Sequence, residues 1–203
     1  MRRLPDPESV AKAIRKRLDR KNAARESAIG KSRQIVRECR SAISAMQSDN
    51  DYAKHLTLAR KMSCELSRIL AEFPDILHAG YVLDAQQELA EAEIIASHIE
   101  DHPFPSPESI GVSDEAFVLG LGDAIGELRR LLLSRLMNDD MTGARKELEA
   151  MEEFYRILMA FDYPDTLLAS KRKQDVARGL LEKSRSELVL SSHMRDLKRR
   201  LKR

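Results

Sequence analysis

Apolar residues recur at helical spacing along almost the whole chain. From about Pro7 to Met46 no breaker intervenes except Gly30, and Ile14, Leu18, Ile29, Ile35, Val36 and Ile43 fall mostly three, four or seven residues apart. That spacing predicts one long amphipathic helix. Ser48-Asp49-Asn50-Asp51 ends it. A second helix, with Leu56, Leu58, Leu66, Ile69 and Leu70 as apolar contacts, runs to about Glu72. Phe73-Pro74 closes it, because the residue before a proline is pushed out of the helical region. A third spans about Asp75 to Glu100. Pro103, Pro105 and Pro107 then force a loop, and Ser113 offers an N-cap hydroxyl for a fourth helix reaching Leu136. Asn138 to Thr142 make a turn and a fifth helix covers about Gly143 to Phe161. Tyr163-Pro164 stops it, and Asp165 starts a last helical region that runs to the C-terminus.

Composition agrees with an all-α chain. Its 203 residues include only 8 Gly and 7 Pro and no Trp, and the segments between breakers are rich in Ala, Leu, Glu, Lys, Arg and Met. That length fits a single domain over residues 1–203, with enough chain to bury a sizeable core. Cys39 and Cys64 sit inside helical stretches, the pattern of a reduced cytoplasmic protein without a disulfide framework. No apolar run approaches the length of a membrane span and the start reads as the approach to a charged helix, so neither secretion nor membrane insertion is expected. Met46, Met62, Met137, Met151 and Met159 read as core filler.

Charge is segregated more strongly than the net of +2 suggests. Residues 1–40 hold 13 Lys/Arg against 5 Asp/Glu, and residues 171–203 hold 12 against 4. Residues 41–170 hold 10 basic and 24 acidic side chains. Basic ends around an acidic middle suggest an anionic partner, while the same Arg15, Arg17, Arg20, Lys21 and Arg25 also fit a solvated helix face.

Two acidic pairs lie in the acidic middle, Glu88-x-x-Glu91 in the third helix and Asp123-x-x-x-Glu127 in the fourth. Residues three or four apart share a helical face, so each pair projects two oxygen ligands to one side. Two carboxylates about 4 Å apart repel by roughly 4 kcal/mol at an effective dielectric near 20, which invites a proton or a hard cation such as Mg²⁺ or Mn²⁺. On a helical wheel Glu88 and Glu91 border the arc of Val82, Ala85, Leu89, Ala92 and Ala96. Asp123, Glu127 and Arg130 lie opposite the arc of Phe117, Leu121, Ala124, Ile125, Leu128, Leu131 and Leu132, on a face that must meet a cavity, solvent or another subunit. Acids at helical spacing are also ordinary on surfaces, and spacing alone leaves both readings open. The five histidines form no Glu-x-x-His pair, against a di-iron bundle. Gly120-x-Gly122 suits close backbone packing better than phosphate binding.

At these residues the chain resembles the translin and translin-associated factor X (Trax) family. Gly120-Leu-Gly-Asp-Ala-Ile-Gly-Glu-Leu-Arg-Arg130 is similar to the Trax pattern G-V-A-D-L-T-G-E-L-M-R, with Gly120, Asp123, Gly126, Glu127, Leu128 and Arg130 matched. Gln87-Glu88-Leu-Ala-Glu91-Ala92 is similar to Q-E-Y-V-E-A, although Leu89 and Ala90 replace an aromatic and a valine. Leu18-Asp19, Glu26, Ser32-Arg33, Ile35, Arg40 and Ile43 fall at Trax-like spacings, and Phe73-Pro74 stands where the family closes its second helix. The resemblance is to the Trax-like branch, since the acidic set is incomplete in translin. It implies a bundle of about seven helices assembling into a hollow, barrel-like octamer whose Trax-type subunits are metal-dependent endoribonucleases. Carried over, Glu88, Glu91 and Asp123 are the metal ligands and, with Glu127, the catalytic acids.

The expected activity is therefore Mg²⁺- or Mn²⁺-dependent endonucleolytic hydrolysis of RNA, single-stranded by preference, with single-stranded DNA as a further ligand. The expected assembly is a homo-octamer or a hetero-oligomer with a translin-like subunit. Arg15, Arg17, Arg20, Lys21, Arg129 and Arg130 are the candidate nucleic-acid contacts, and for Arg130 an ion pair with Glu127 is the competing role. The alternatives are a noncatalytic translin-like binding assembly and a helical scaffold with an accidental acid cluster.

Overall fold

The structure, a computed structural model, describes residues 6–201. Arg2, Arg3, Lys202 and Arg203 of the basic ends lie outside the described residues. The described chain is all-helical: α1 (Pro7–Gln47), α2 (Ala53–Leu70), α3 (Pro74–Leu77), α4 (Gly80–Ile99), α5 (Pro107–Ile110), α6 (Asp114–Met137), α7 (Met141–Leu158) and α8 (Lys171–Leu201).

The six long helices follow the sequence pattern, with α3 and α5 as single turns beside them. Local chemistry sets the ends. Asp6 caps α1 by accepting from the Ser9 N–H at 3.2 Å, with Pro7 at the first position, where its missing N–H costs nothing. Ser113 caps α6 from the Ala116 N–H at 3.3 Å, as its position predicted, and Asp140 caps α7 from the Gly143 N–H at 2.9 Å. Asp49, Asp101 and Asp139 take the left-handed conformation that ends their helices.

Four expectations are corrected. The predicted helix from Asp75 to Glu100 is two: the chain bends at His78, Ala79 is extended, and α4 starts at Gly80. The last helix starts at Lys171 instead of Asp165, because Pro164 anchors a turn that donates the Leu167 and Leu168 N–H groups back to its carbonyl and tucks Leu168 into the core. Ile14 and Leu18 are exposed, since the first turns of α1 extend past the helices that α1 packs on further along; Met137, at the end of α6, and Met159, just past α7, are also exposed instead of filling the core.

α4 and α6 form the central pair, with α1 and α2 packed on the α4 side and α7 and α8 on the α6 side. From Leu89 to Ala96 every residue of α4 is buried, so this helix is covered nearly all round. One continuous apolar core, from Ala28 and Ile35 through Leu89, Ile95, Leu121 and Ile125 to Met151 and Leu181, joins the long helices. No described helix is long and apolar enough to cross a membrane.

Candidate functional site

The acids lie where α4 meets α6, and glycine sets how closely. A Cβ on Gly120 would stand 2.7 Å from the Gln87 carbonyl oxygen, 2.9 Å from the Ala90 Cβ and 3.0 Å from the Glu91 nitrogen. Only a residue without a side chain admits α4 this close. Gly120 therefore serves packing, as its context suggested, and it brings Glu88 and Glu91 beside Asp123 and Glu127. All four acids form one electrostatic cluster, in which Glu91 feels the charges of the other three.

Their surroundings differ. Glu88 accepts a hydrogen bond from Arg40 Nη2 on α1 at 2.9 Å. Asp123 accepts from Gln87 Nε2 at 2.5 Å on Oδ2, and its Oδ1 pairs with the Lys173 ammonium from α8. Glu127 accepts from the Gln47 side-chain amide at the end of α1 and lies 3.6 Å from Arg130 Nε. The face of α6 that carries Asp123 and Glu127 thus meets α1 and α8 of the same chain. Glu91 is the exception. It is 9% exposed, and among the described residues its carboxylate has neither a hydrogen-bond nor an ion-pair partner.

The other buried acids show how unusual that is. Arg60 grips both oxygens of Glu93, and His98 Nε2 lies 2.7 Å from Glu147 Oε2. Burial, and then the charges of Asp123, Glu127 and Glu88, push the Glu91 carboxyl up to about 8, with the Lys173 ammonium opposing. Burial also raises Glu127, where Arg130 and Gln47 work against it and Asp123 and Glu88 reinforce it. Cys39, packed against this region, has its thiol raised by burial and then by Glu88, Glu93, Glu91 and Glu38, which keeps it protonated and poorly nucleophilic. Cys64 is free and exposed.

The donor set suits a hard divalent cation. It consists of carboxylate oxygens, and it contains one buried acid that has no hydrogen-bond or ion-pair partner among the described residues. As the side chains stand, no three His, Cys, Asp or Glu among the described residues are gathered tightly enough to share an ion. Arg40, Lys173 and Gln47 hold Glu88, Asp123 and Glu127, each toward a different neighbour.

The basic residues divide differently from the acids. Arg15, Arg17, Arg20 and Lys21 are about 30 Å or more along α1 from Arg40, at 1.5 Å per residue. Arg20 pairs with Glu72 at 2.7 Å and Lys21 with Asp75 at 2.6 Å. The Arg129 guanidinium is taken up by Glu187 at 2.8 and 2.9 Å and by the Ser184 hydroxyl at 2.8 Å, clamping α8 to α6. Arg130 is exposed and its Nε lies 3.6 Å from Glu127, the ion pair that competes with a phosphate role. Nearer the acids, Arg33, Arg37 and Arg40 line a groove of about 560 Å³ between α1 and α4, with Tyr81 and Asp84 on its other wall. Sequence reasoning left these three arginines, Gln47 and Lys173 out of the site. Arg33 and Arg40 were visible as Trax-like matches, while Lys173 carried no signal beyond a general basic run.

No protein-family model matches the chain. An uncharacterised protein of Methanocaldococcus jannaschii is 33% identical over 189 residues, spanning 92% of this chain and 84% of its own. AfC3PO, solved in complex with duplex RNA, superposes with a TM-score of 0.85 at 31% identity, over 91% of this chain and 97% of that one. The crystal structure of AfC3PO gives a TM-score of 0.84, also at 31% identity, over 91% and 98% of the two chains. The chain belongs to the translin/Trax family. Apo-NeC3PO shares the translin/Trax fold at a TM-score of 0.77 and 18% identity, over 94% of this chain and all of that one. Within the translin/Trax frame, α4 and α6 supply the acids, and α1 and α8 supply the polar groups that meet them.

Proposed function

We propose that this chain is a metal-dependent endoribonuclease of the Trax-like kind, working from the α4–α6 carboxylates. The observation that carries the reading is Glu91, a buried carboxylate without a partner among the described residues in a cluster of four acids. Isolated buried charge is expensive, and a site that keeps one is matched to a cation or a proton. Glu88, Glu91 and Asp123 would hold Mg²⁺ or Mn²⁺, which supplies Lewis acidity toward the scissile phosphate when bound. Glu127, oriented by the Gln47 amide, positions the attacking water. Arg130 answers the phosphate charge from the exposed side of α6.

The groove of Arg33, Arg37 and Arg40 leads along α1 to Glu88 and is the path assigned to the RNA backbone, which makes binding salt-dependent and largely independent of sequence. It takes the place of the distant Arg15, Arg17, Arg20 and Lys21 and of the occupied Arg129. Duplex RNA is the ligand in the AfC3PO complex, so duplex and single-stranded RNA both belong in the assay. A hollow homo-octamer, or a hetero-oligomer with a translin-like subunit, is the assembly proposed, and the cytoplasm the compartment.

One observation favours the noncatalytic reading: three of the four acids already have partners within the chain. Cleavage of short single-stranded and duplex RNA by wild type and Glu91→Ala, in Mg²⁺, Mn²⁺ and chelator, separates the two. Metal-dependent products from wild type alone support the nuclease. RNA binding without cleavage in every condition leaves the binding assembly.

A further inference from the structure

Lys173 reaches the acids from the first turn of α8, and the fold makes room for it. Its Cβ, Cγ and Cδ lie 2.9, 3.2 and 3.5 Å from where a Cβ on Gly122 would stand. Any side chain at 122 would meet the lysine stem. Glycine at this position lets the stem lie flat on α6 and deliver the ammonium to Asp123 Oδ1, while Gln87 holds Oδ2. Among the cations that touch the cluster, Lys173 is the least open to solvent, with its side chain 28% exposed against 70% for Arg40 and 67% for Arg130. Its charge reaches Glu91 as well as Asp123.

Building on the metal reading above, we infer that Lys173 is a positioning residue whose ammonium and a divalent cation are alternative occupants of Asp123, so that the lysine sets how tightly the centre binds metal. A cation shared by Glu88, Glu91 and Asp123 needs an Asp123 oxygen, and Gln87 and Lys173 hold one each. Gln87 is neutral and sits on α4 beside Glu88. Lys173 is a full positive charge, which a divalent ion at bonding distance from the same carboxylate would repel. Its four-carbon stem can swing clear without moving α8. Asp123 is therefore oriented by an internal cation until the metal arrives, and the affinity of the centre is lowered by the cost of displacing it.

The test uses the wild-type full chain. Acylation of each lysine by an N-hydroxysuccinimide ester is followed by mass spectrometry across a Mn²⁺ titration, while Mn²⁺ binding is read in parallel from the free-ion EPR signal. Labelling of Lys173 is expected to rise with the midpoint of Mn²⁺ binding, while Lys146, paired with Asp101 at 2.6 Å, stays constant. Lys173→Met is expected to bind Mn²⁺ about fivefold tighter, the equivalent of a partly exposed ion pair. Lys173→Arg, which keeps the charge, stays within about twofold of wild type. Mn²⁺ binding with flat Lys173 labelling overturns the inference, as does a Lys173→Met that binds no tighter. A wild type that binds no Mn²⁺ overturns the metal reading itself, a result distinct from both.

Discussion

Glu91→Gln removes the ionisable group from the only buried acid of the cluster and keeps its shape. An ordinary glutamate ionises near 4.5, and Glu91 in the folded chain is pushed up to about 8. Because the folded value is raised, the stability that protonated Glu91 contributes is complete below the lower value and is lost as pH rises through the upper one. Between the two, each pH unit costs the fold about 1.4 kcal/mol. At pH 7 the accumulated cost is about 3 kcal/mol, and glutamine does not carry it. For a chain of this size that is about 9 °C in Tm. The assay is thermal unfolding by circular dichroism with chelator present, at pH 7 and at pH 5. The variant is expected to melt higher at pH 7, with the gap falling below about 1 kcal/mol at pH 5. Added Mn²⁺ is expected to raise the Tm of wild type alone. A variant that melts at or below wild type at pH 7, or a gap that does not shrink at pH 5, refutes the uncompensated buried carboxylate.

Four further outcomes follow from the same contacts. Mn²⁺ binding should release a proton from Glu91 and tighten as pH rises toward about 8, read by calorimetry in buffers of different ionisation enthalpy. Gly120→Ala should destabilise by about 1–3 kcal/mol in denaturant titration, because the new Cβ meets the α4 backbone and outweighs the gain in helix propensity. Arg129→Met should cost about 1–3 kcal/mol by freeing Glu187 and the buried Ser184 hydroxyl while leaving RNA affinity unchanged, whereas Arg37→Ala should lower the salt slope of RNA binding by about one.

The pattern of apolar residues was enough to find six long helices, since each buries a stripe that repeats over several turns. It could not find the bend at His78, which no proline or asparagine marks, nor see that Pro164 and Leu168 would delay α8. Ile14 and Leu18 kept the right period yet are exposed, because periodicity shows which face of a helix is apolar and not where its neighbours stop. The four acids were legible because each pair sits within one turn of one helix. Lys173 and Gln47 were not, since they reach the acids from helices 50 and 80 residues away in sequence, on contacts that only packing creates. Charge counting identified the basic first helix, but Arg33, Arg37 and Arg40 are distinguished from Arg15 and Arg17 only by the groove beneath them.

The dependence of RNA cleavage on a divalent cation that Glu88, Glu91 and Asp123 would hold is what the proposed function stands on. Its most direct test is one Mn²⁺ titration that records cation binding and single-turnover cleavage of an end-labelled RNA in the same sample, for wild type and Glu91→Gln. In wild type the two curves should share one midpoint, and the variant should lose both. Cleavage that survives chelation, or persists in Glu91→Gln, would contradict the account.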